Sequence, residues 1–278
     1  MNDILQDISP SSISQAMDAN EIEFSALLGT LPSAEFHQDP DLCWVETGVP
    51  DAQFNAVLQI RSTPEMLPTT IDRAISHFRQ RHLSFHWRLG PTSQPANFGD
   101  LLQARGLSYN ETEPGMAVDL LKLNENLSLA SNLTISPVVH DELLHQWIRA
   151  WGCGGTPEEV IQHWFTVYSQ LPVGPQSNLR MYIGSIDEKP VATVALFLGG
   201  GVAAIHHVVT IPEFRRRGIG AAMTLMAARE ARSAGYRVAV LTASPFGINI
   251  YRHLGFKEYC EVSTYCSDLL HLNLPEIL

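Results

Sequence analysis

The sequence predicts an α/β (α+β) fold built from two tandem halves, each a mixed, mainly antiparallel sheet flanked by helices, and three observations carry that prediction. Residues 179–211, LRMYIGSIDEKPVATVALFLGGGVAAIHHVVTI, alternate as three antiparallel strands would, the first two joined at DEK and the next two at GGG. After Pro212 the apolar period lengthens to that of a helix, over residues 218–234. The third observation is an echo between the halves: LGPTSQPANFGDLLQARGLSYNE and LTASPFGINIYRHLGFKEY both run strand, small polar turn, short helix, glycine, apolar residue, strand. Arg105-Gly106-Leu107 stands opposite Leu254-Gly255-Phe256. Duplication followed by divergence accounts for the echo, although two unrelated α/β units could share so short a match.

Taken in order, residues 1–35 read as an arm of one or two polar helices, with serine capping near Ser11 and a stop around LLGTLP. A first domain, 36–127, follows with strands at LCWVETG and FNAVLQIR, a helix over 69–81, a strand at LSFHWRL, a short helix at FGDLLQARG and a strand ending in GMAVDLLKL. The polar stretch NENLSLASN separates it from the second domain, 128–278. This opens with LTISPVV and two helices, the later one announced by Thr156-Pro157-Glu158-Glu159, a hydroxyl cap followed by proline in the first turn. Beyond the meander and its helix come a buried strand at YRVAVLTA, a short helix at FGINIYRHLG, and FKEYCEVSTYCSDL as a hairpin or strand pair.

The formal charge of -11 argues against a surface made for nucleic acid or anionic membrane, so any anion site must be local. No apolar run reaches the length of a membrane span, and MNDILQDISPSS carries acids where a signal peptide is basic and then apolar. The expectation is a cytoplasmic protein. Cys43, Cys153, Cys260 and Cys266 form no CxxC pair and the histidines no HExxH, so reduced thiols and no metal are expected.

One stretch departs from the acidic background. PEFRRRGIGAA, residues 212–222, sets three arginines and two spaced glycines directly before the helix. The first turn of a helix has unpaired N–H groups at the positive end of its dipole, and glycine removes the Cβ that would hold a ligand away. That is the chemistry of a pyrophosphate cradle; a tight turn with solvated arginines is the plainer alternative. A P-loop would need Gly-Lys-Ser/Thr where Gly220-Ala221-Ala222 stands, and a dinucleotide fold would need a parallel sheet before the helix.

These residues resemble the GNAT superfamily of acetyl-CoA-dependent N-acyltransferases over roughly 130–270. The family's Arg/Gln-x-x-Gly-x-Gly/Ala is matched by Arg215, Gly218 and Gly220. Its second signature, Asn-x-x-Ala-x-x-x-Tyr-x-x-x-Gly-Phe, is present as Ser244, Gly247, Tyr251, Gly255 and Phe256, with serine replacing asparagine and glycine replacing alanine. The resemblance implies a V-shaped splay in the sheet, acetyl-CoA as acyl donor, and a cofactor-binding set of Val208, Val209, Thr210, Arg215, Arg216, Arg217, Gly218, Ile219, Gly220, Ala221 and Ser244. It implies Tyr251 as the acid that protonates the departing thiolate. Phenols and thiols have ordinary pKa values of about 10 and 8.5, so the transfer is only modestly uphill. A backbone N–H near Val209 would polarise the carbonyl. The glutamate that many relatives use as base corresponds to Ala204, and His206, on the same face by strand alternation, is the remaining candidate; His207 falls on the opposite face.

The first half repeats the architecture without the chemistry. RSTPEMLPTTID precedes its helix, with Pro64, Glu65 and Pro68 where an anion loop would stand, and Leu102 opposes Tyr251. It reads as a degenerate GNAT-like domain, in which Trp44, Asn55, His86 and Trp87 either wall an acceptor pocket or form that domain's own core. The expected protein is therefore an N-acetyltransferase of a small-molecule or peptide amine, working by direct attack in a ternary complex, as monomer or homodimer and without metal. A non-catalytic acyl-CoA sensor or scaffold, or a transferase of longer acyl groups, is the alternative.

Overall fold

The computed structural model describes residues 4–126, 130, 132–153 and 155–267. In chain order its elements are α1 (Pro10–Leu28), β1 (Glu35–Gln38), β2 (Leu42–Glu46), β3 (Ala56–Ile60), α2 (Leu67–Gln80), β4 (His86–Leu89), α3 (Phe98–Gln103), β5 (Ser108–Asp119) and β6 (Thr134–Pro137). They continue as α4 (Asp141–Trp151), α5 (Glu158–Tyr168), β7 (Leu179–Ile186), β8 (Lys189–Gly199), β9 (Val202–Thr210), α6 (Ile219–Ser233), β10 (Val238–Thr242), α7 (Ile248–Leu254) and β11 (Lys257–Cys266). No helix among the described residues is long and apolar enough to cross a membrane.

The chain divides into two compact units, one formed by the segment up to Asn20 with Pro114–Cys260, the other by Glu21–Glu113 with the segment from Glu261. A changeover at residues 127 and 128, expected from the polar stretch there, lies outside the described residues.

In the unit that holds Pro114–Cys260 the strand order is β5-β10-β9-β8-β7-β6. Every pair is antiparallel except β9 with β10. The two hairpin turns follow from their residues. Asp187 and Glu188 at φ 48° and 62° make the two-residue turn between β7 and β8, and Gly200 and Gly201 at φ 56° and 79° make the next. A Cβ on Gly200 would collide with the backbone of Asn20, whose side-chain amide donates to Gly199 O at 2.8 Å, so α1 closes over this turn. Alternate residues of β9 serve the two faces of the sheet. Ala203 and Ile205 pack with Met223 and Leu225 of α6 and Leu254 of α7, while Val202 and Ala204 pack with Ile13, Ala16 and Met17 of α1.

The other unit orders its strands β1-β2-β3-β4-β11, with β3 and β4 parallel. It repeats the path of the first: β3-α2-β4-α3 matches β9-α6-β10-α7, each joining parallel strands through a helix. Gly106 and Gly255, after the short helices, both adopt left-handed backbone at φ 86° and 99°. Its core gathers Trp44, Trp87, Phe78, Phe85 and Phe98. Asn55 is fully buried and acts as a bracket, accepting from Thr47 N at 2.9 Å and donating to the carbonyls of Val49, Asp51 and Ser84. His86 Nδ1 lies 2.7 Å from Ala52 O. All four residues weighed as a pocket wall thus serve this unit's own packing.

Two local expectations are corrected. Thr156 does not cap α5: Pro157, with extended ψ of 145°, is the residue before the helix, and Thr156 Oγ1 donates back to Gly152 O at 2.9 Å. The arm, expected to hold one or two helices, forms one, α1. FKEYCEVSTYC is one continuous strand rather than a hairpin, as befits a run with no turn-forming glycine, proline or asparagine.

Candidate functional site

β9 parts from one neighbour while keeping the other. It pairs in parallel with β10 at Ala203–Ala239 and Ala204–Val240, whereas its ladder with β8 continues to Thr210 opposite Ala192. The β8–β9 register slips on the way, since Thr193 opposes Val209 and Ala195 opposes His206, which leaves His207 and Val208 together facing Val194. This is a β-bulge, and its extra residue, His207, sits at φ 53°, an uncommon conformation for a residue with a Cβ. Two contacts hold it there. Thr193 Oγ1 donates to His207 O at 2.7 Å, and His207 Nε2 and Tyr168 Oη share a hydrogen bond of 3.0 Å. The imidazole lies 4.3 Å from the Trp151 ring, centroid to centroid, and burial, aided by the adjacent His206, pushes its pKa down to about 3. Strict alternation would place the two histidine rings on opposite faces; the bulge instead leaves them 6.0 Å apart, and His207 turns into the tryptophan cluster.

The glycine loop follows β9. Arg215 is extended, Arg216 is left-handed at φ 61°, and Gly218, left-handed at φ 76°, directly precedes α6. The first main-chain bond of the helix runs from Ala222 N to Gly218 O at 3.0 Å, so the amides of Ile219, Gly220 and Ala221 stand in the first turn, ahead of any i→i−4 acceptor. A Cβ on Gly220 would come within 3.6 Å of Ile250 and 3.8 Å of Thr210 Oγ1, filling space between those two walls. Alternating left-handed backbone, free first-turn amides and an open glycine are the features of an anion cradle.

A cavity of about 640 Å³ opens at this point, well within the range of small-molecule sites. Val208, Val209, Thr210, Arg215, Arg216, Gly218, Ile219, Gly220, Ala221, Ser244 and Tyr251 all line it. Two sequence-selected residues do not. His206 is half-buried further back on β9, and Arg217 turns away, donating to Glu213 O at 3.0 Å with its guanidinium 4.9 Å above the Phe214 ring. Arg215 Nε donates to Thr210 O at 3.1 Å, which ties the loop to the end of β9.

The opposite wall is the turn into α7. Gly247 N approaches both Ser244 O at 3.1 Å and Ser244 Oγ at 3.3 Å, so the serine hydroxyl is engaged in closing the turn. Tyr251 is 8% exposed, and its ring lies against Gly247: a Cβ there would stand 2.8 Å from Tyr251 Cε2 and 3.3 Å from its Cζ and Oη. This contact accounts for glycine where the family signature has alanine. Gly247, named from the signature, completes the lining with Phe214, Phe246 and Ile250, which the sequence did not single out. Phe246 and Gly247 lie inside the quoted signature, and only the missing Cβ of Gly247 could have signalled a close approach.

Away from the cavity, no disulfide joins the four cysteines, and burial raises the pKa of Cys43 to about 12 and of Cys266 to about 11, which makes both inert thiols. Folding also brings together Glu35, Glu46 and His77. The guanidinium of Arg81 is already bonded there, 2.9 Å from Glu46 Oε1 and 3.4 Å from Glu35 Oε2, so the carboxylates have their cation in the chain itself.

Comparison with known proteins agrees with this geometry. Residues 139–256, somewhat less than half of the chain, match the model of the acetyltransferase (GNAT) family. A GCN5-related N-acetyltransferase from Kribbella flavida superposes with a TM-score of 0.69 at 20% identity, covering 91% of this chain and 97% of that one. A tandem GNAT protein from the clavulanic acid biosynthesis pathway superposes with a TM-score of 0.58 at 13% identity, covering 92% of each. At such identities these likenesses show the fold. No curated protein sequence matches the chain.

Proposed function

We propose that the protein transfers an acetyl group from acetyl-CoA to a primary amine by direct attack in a ternary complex. The observation that carries this reading is the convergence on one cavity of a strand end parted from its neighbour, a helix N-terminus with open amides, and the Tyr251 side chain. The amides of Ile219, Gly220 and Ala221, with Arg215 and Arg216, would hold the diphosphate. Backbone groups of Val208 to Thr210 would take the pantetheine arm.

Acetyl-CoA supplies an acyl group activated as a thioester. An N–H near Val209 stabilises charge on the carbonyl oxygen as the C–N bond forms and the C–S bond breaks. Tyr251 gives its phenolic proton to the departing sulfur and regains one from solvent. His206 receives the surplus amine proton through water, a role opened by Ala204 where relatives have glutamate. His207 is unsuited to that role, since a pKa near 3 makes it a weak base. The unit holding Glu21–Glu113 is, in this reading, a degenerate copy of the same domain, the acceptors are small-molecule or peptide amines, and the setting is cytoplasmic.

The test is calorimetry with CoA, followed by thiol release from acetyl-CoA over a panel of neutral and cationic amines for wild type and Tyr251→Phe. Uptake of CoA, turnover with at least one amine, and a loss of about 10²-fold in kcat for Tyr251→Phe are expected. CoA uptake without turnover on any amine would favour a sensor or scaffold, and preference for longer acyl thioesters would reassign the donor.

A further inference from the structure

Five large apolar side chains among the described residues are exposed, and one of them, Phe246, lines the cavity. Its ring is 65% exposed, whereas Tyr251, further along the same wall, is 8% exposed. Phe246 therefore marks the outer rim and Tyr251 the inner end. The segment that carries it is not a loose loop. Pro245 fixes one backbone angle, and Ser244 O receives Gly247 N and Ile248 N, both at 3.1 Å, so the ring is presented from a closed turn.

We infer that Phe246 is the platform on which the adenine of coenzyme A stacks, which makes it the residue that reads the nucleotide end of the donor. The inference rests on the acetyl-CoA reading of this cavity and adds a role that neither motif assigns. If the thioester reacts beside Tyr251 and the first-turn amides of α6 hold the diphosphate, the part of the donor left at the rim is its nucleotide. Adenine is the one flat aromatic group in that molecule, and an exposed phenyl ring offers the matching face. No hydrogen bond to a base edge is needed, so the site would tolerate other purines and hold donors that end before the nucleotide more weakly.

The experiment compares CoA with 4′-phosphopantetheine, which lacks the adenosine portion, by calorimetry on wild type, Phe246→Ala and Phe246→Tyr. Phe246→Ala should weaken CoA about tenfold, the usual order for one lost base stack, and leave 4′-phosphopantetheine within twofold. Phe246→Tyr should retain wild-type affinity for both. Equal weakening of the two ligands would overturn the assignment by placing the ring against the pantetheine arm, and unchanged CoA affinity in Phe246→Ala would overturn it outright. Wild type that takes up no CoA would remove the reading of the cavity itself, whereas wild-type uptake with an indifferent Phe246→Ala variant would remove the inference alone.

Discussion

Replacing Gly247 with alanine restores the residue that the family signature carries, yet here it should impair the proposed transfer. The added Cβ would stand 2.8 Å from Tyr251 Cε2 and 3.3 Å from Cζ and Oη, where carbon atoms at rest lie about 3.5–4.0 Å apart. The phenol must therefore move by roughly 0.7 to 1 Å, because the other partner is backbone at the N-cap of a short helix. Misplacing a reacting group by about 1 Å can cost on the order of 10²-fold, and a positioned general acid contributes about 10²–10⁴-fold. A fall of 10- to 100-fold in kcat is expected, bounded below by the activity of Tyr251→Phe. Stability should change little. Gly247 has ordinary right-handed helical backbone at φ -84° and ψ -29°, so alanine gains about 0.4–1 kcal/mol from the unfolded chain. A strained tyrosine rotamer costs about 0.5–1.5 kcal/mol. Thiol release gives kcat, calorimetry gives CoA affinity, and a melt reports the fold. Wild-type kcat in Gly247→Ala, with Tyr251→Phe strongly impaired, would refute the claim that this contact sets the position of the phenol.

Other perturbations separate the parts of the site. Gly218→Ala forces a Cβ into left-handed backbone at φ 76°, so denaturant titration should show about 1–2 kcal/mol lost and calorimetry a weaker grip on CoA. Arg216→Ala should weaken CoA about tenfold, with the difference shrinking at high salt, while Arg217→Ala, whose side chain is engaged with Glu213 and Phe214, should stay within about threefold. His207 contributes a pH dependence with a definite sign. Its folded pKa, about 3, lies below its ordinary value of 6.5, so the unfolded chain binds more protons in between. The stability that this group supplies is complete above pH 6.5 and is lost as pH falls toward 3. Chemical denaturation of His207→Gln across that window should show a flatter slope than wild type, and an unchanged slope would contradict the assignment.

Much of this architecture is legible in the residues because it depends on local chemistry. The turns of the meander need left-handed backbone, and DEK and GGG provide it. The parting of β9 from β10 was not legible from periodicity and entered through the family resemblance. The bulge was hidden for a definite reason: a period of two assigns faces by parity, and one inserted residue reverses the parity of everything beyond it. His207 was accordingly placed on the wrong face, although the observation that would have helped, a tyrosine and two tryptophans converging from α4 and α5, exists only after folding. The arginines show a similar limit. Three in a row look equivalent on paper, and only the left-handed turn at Arg216 decides that Arg215 and Arg216 line the cavity while Arg217 lies across Phe214.

The two departures from the family signature, Ser244 and Gly247, fall in one turn, the one before α7. Ser244 closes the turn by bringing both its carbonyl and its hydroxyl to the amide of Gly247. With that turn closed, the Tyr251 ring comes to rest against the α-carbon of residue 247, leaving no room for the alanine methyl. Serine and glycine thus meet in one hydrogen-bonded turn. What the pair leaves in place is the phenol, 8% exposed on the wall of the cavity and facing the loop of open amides across it.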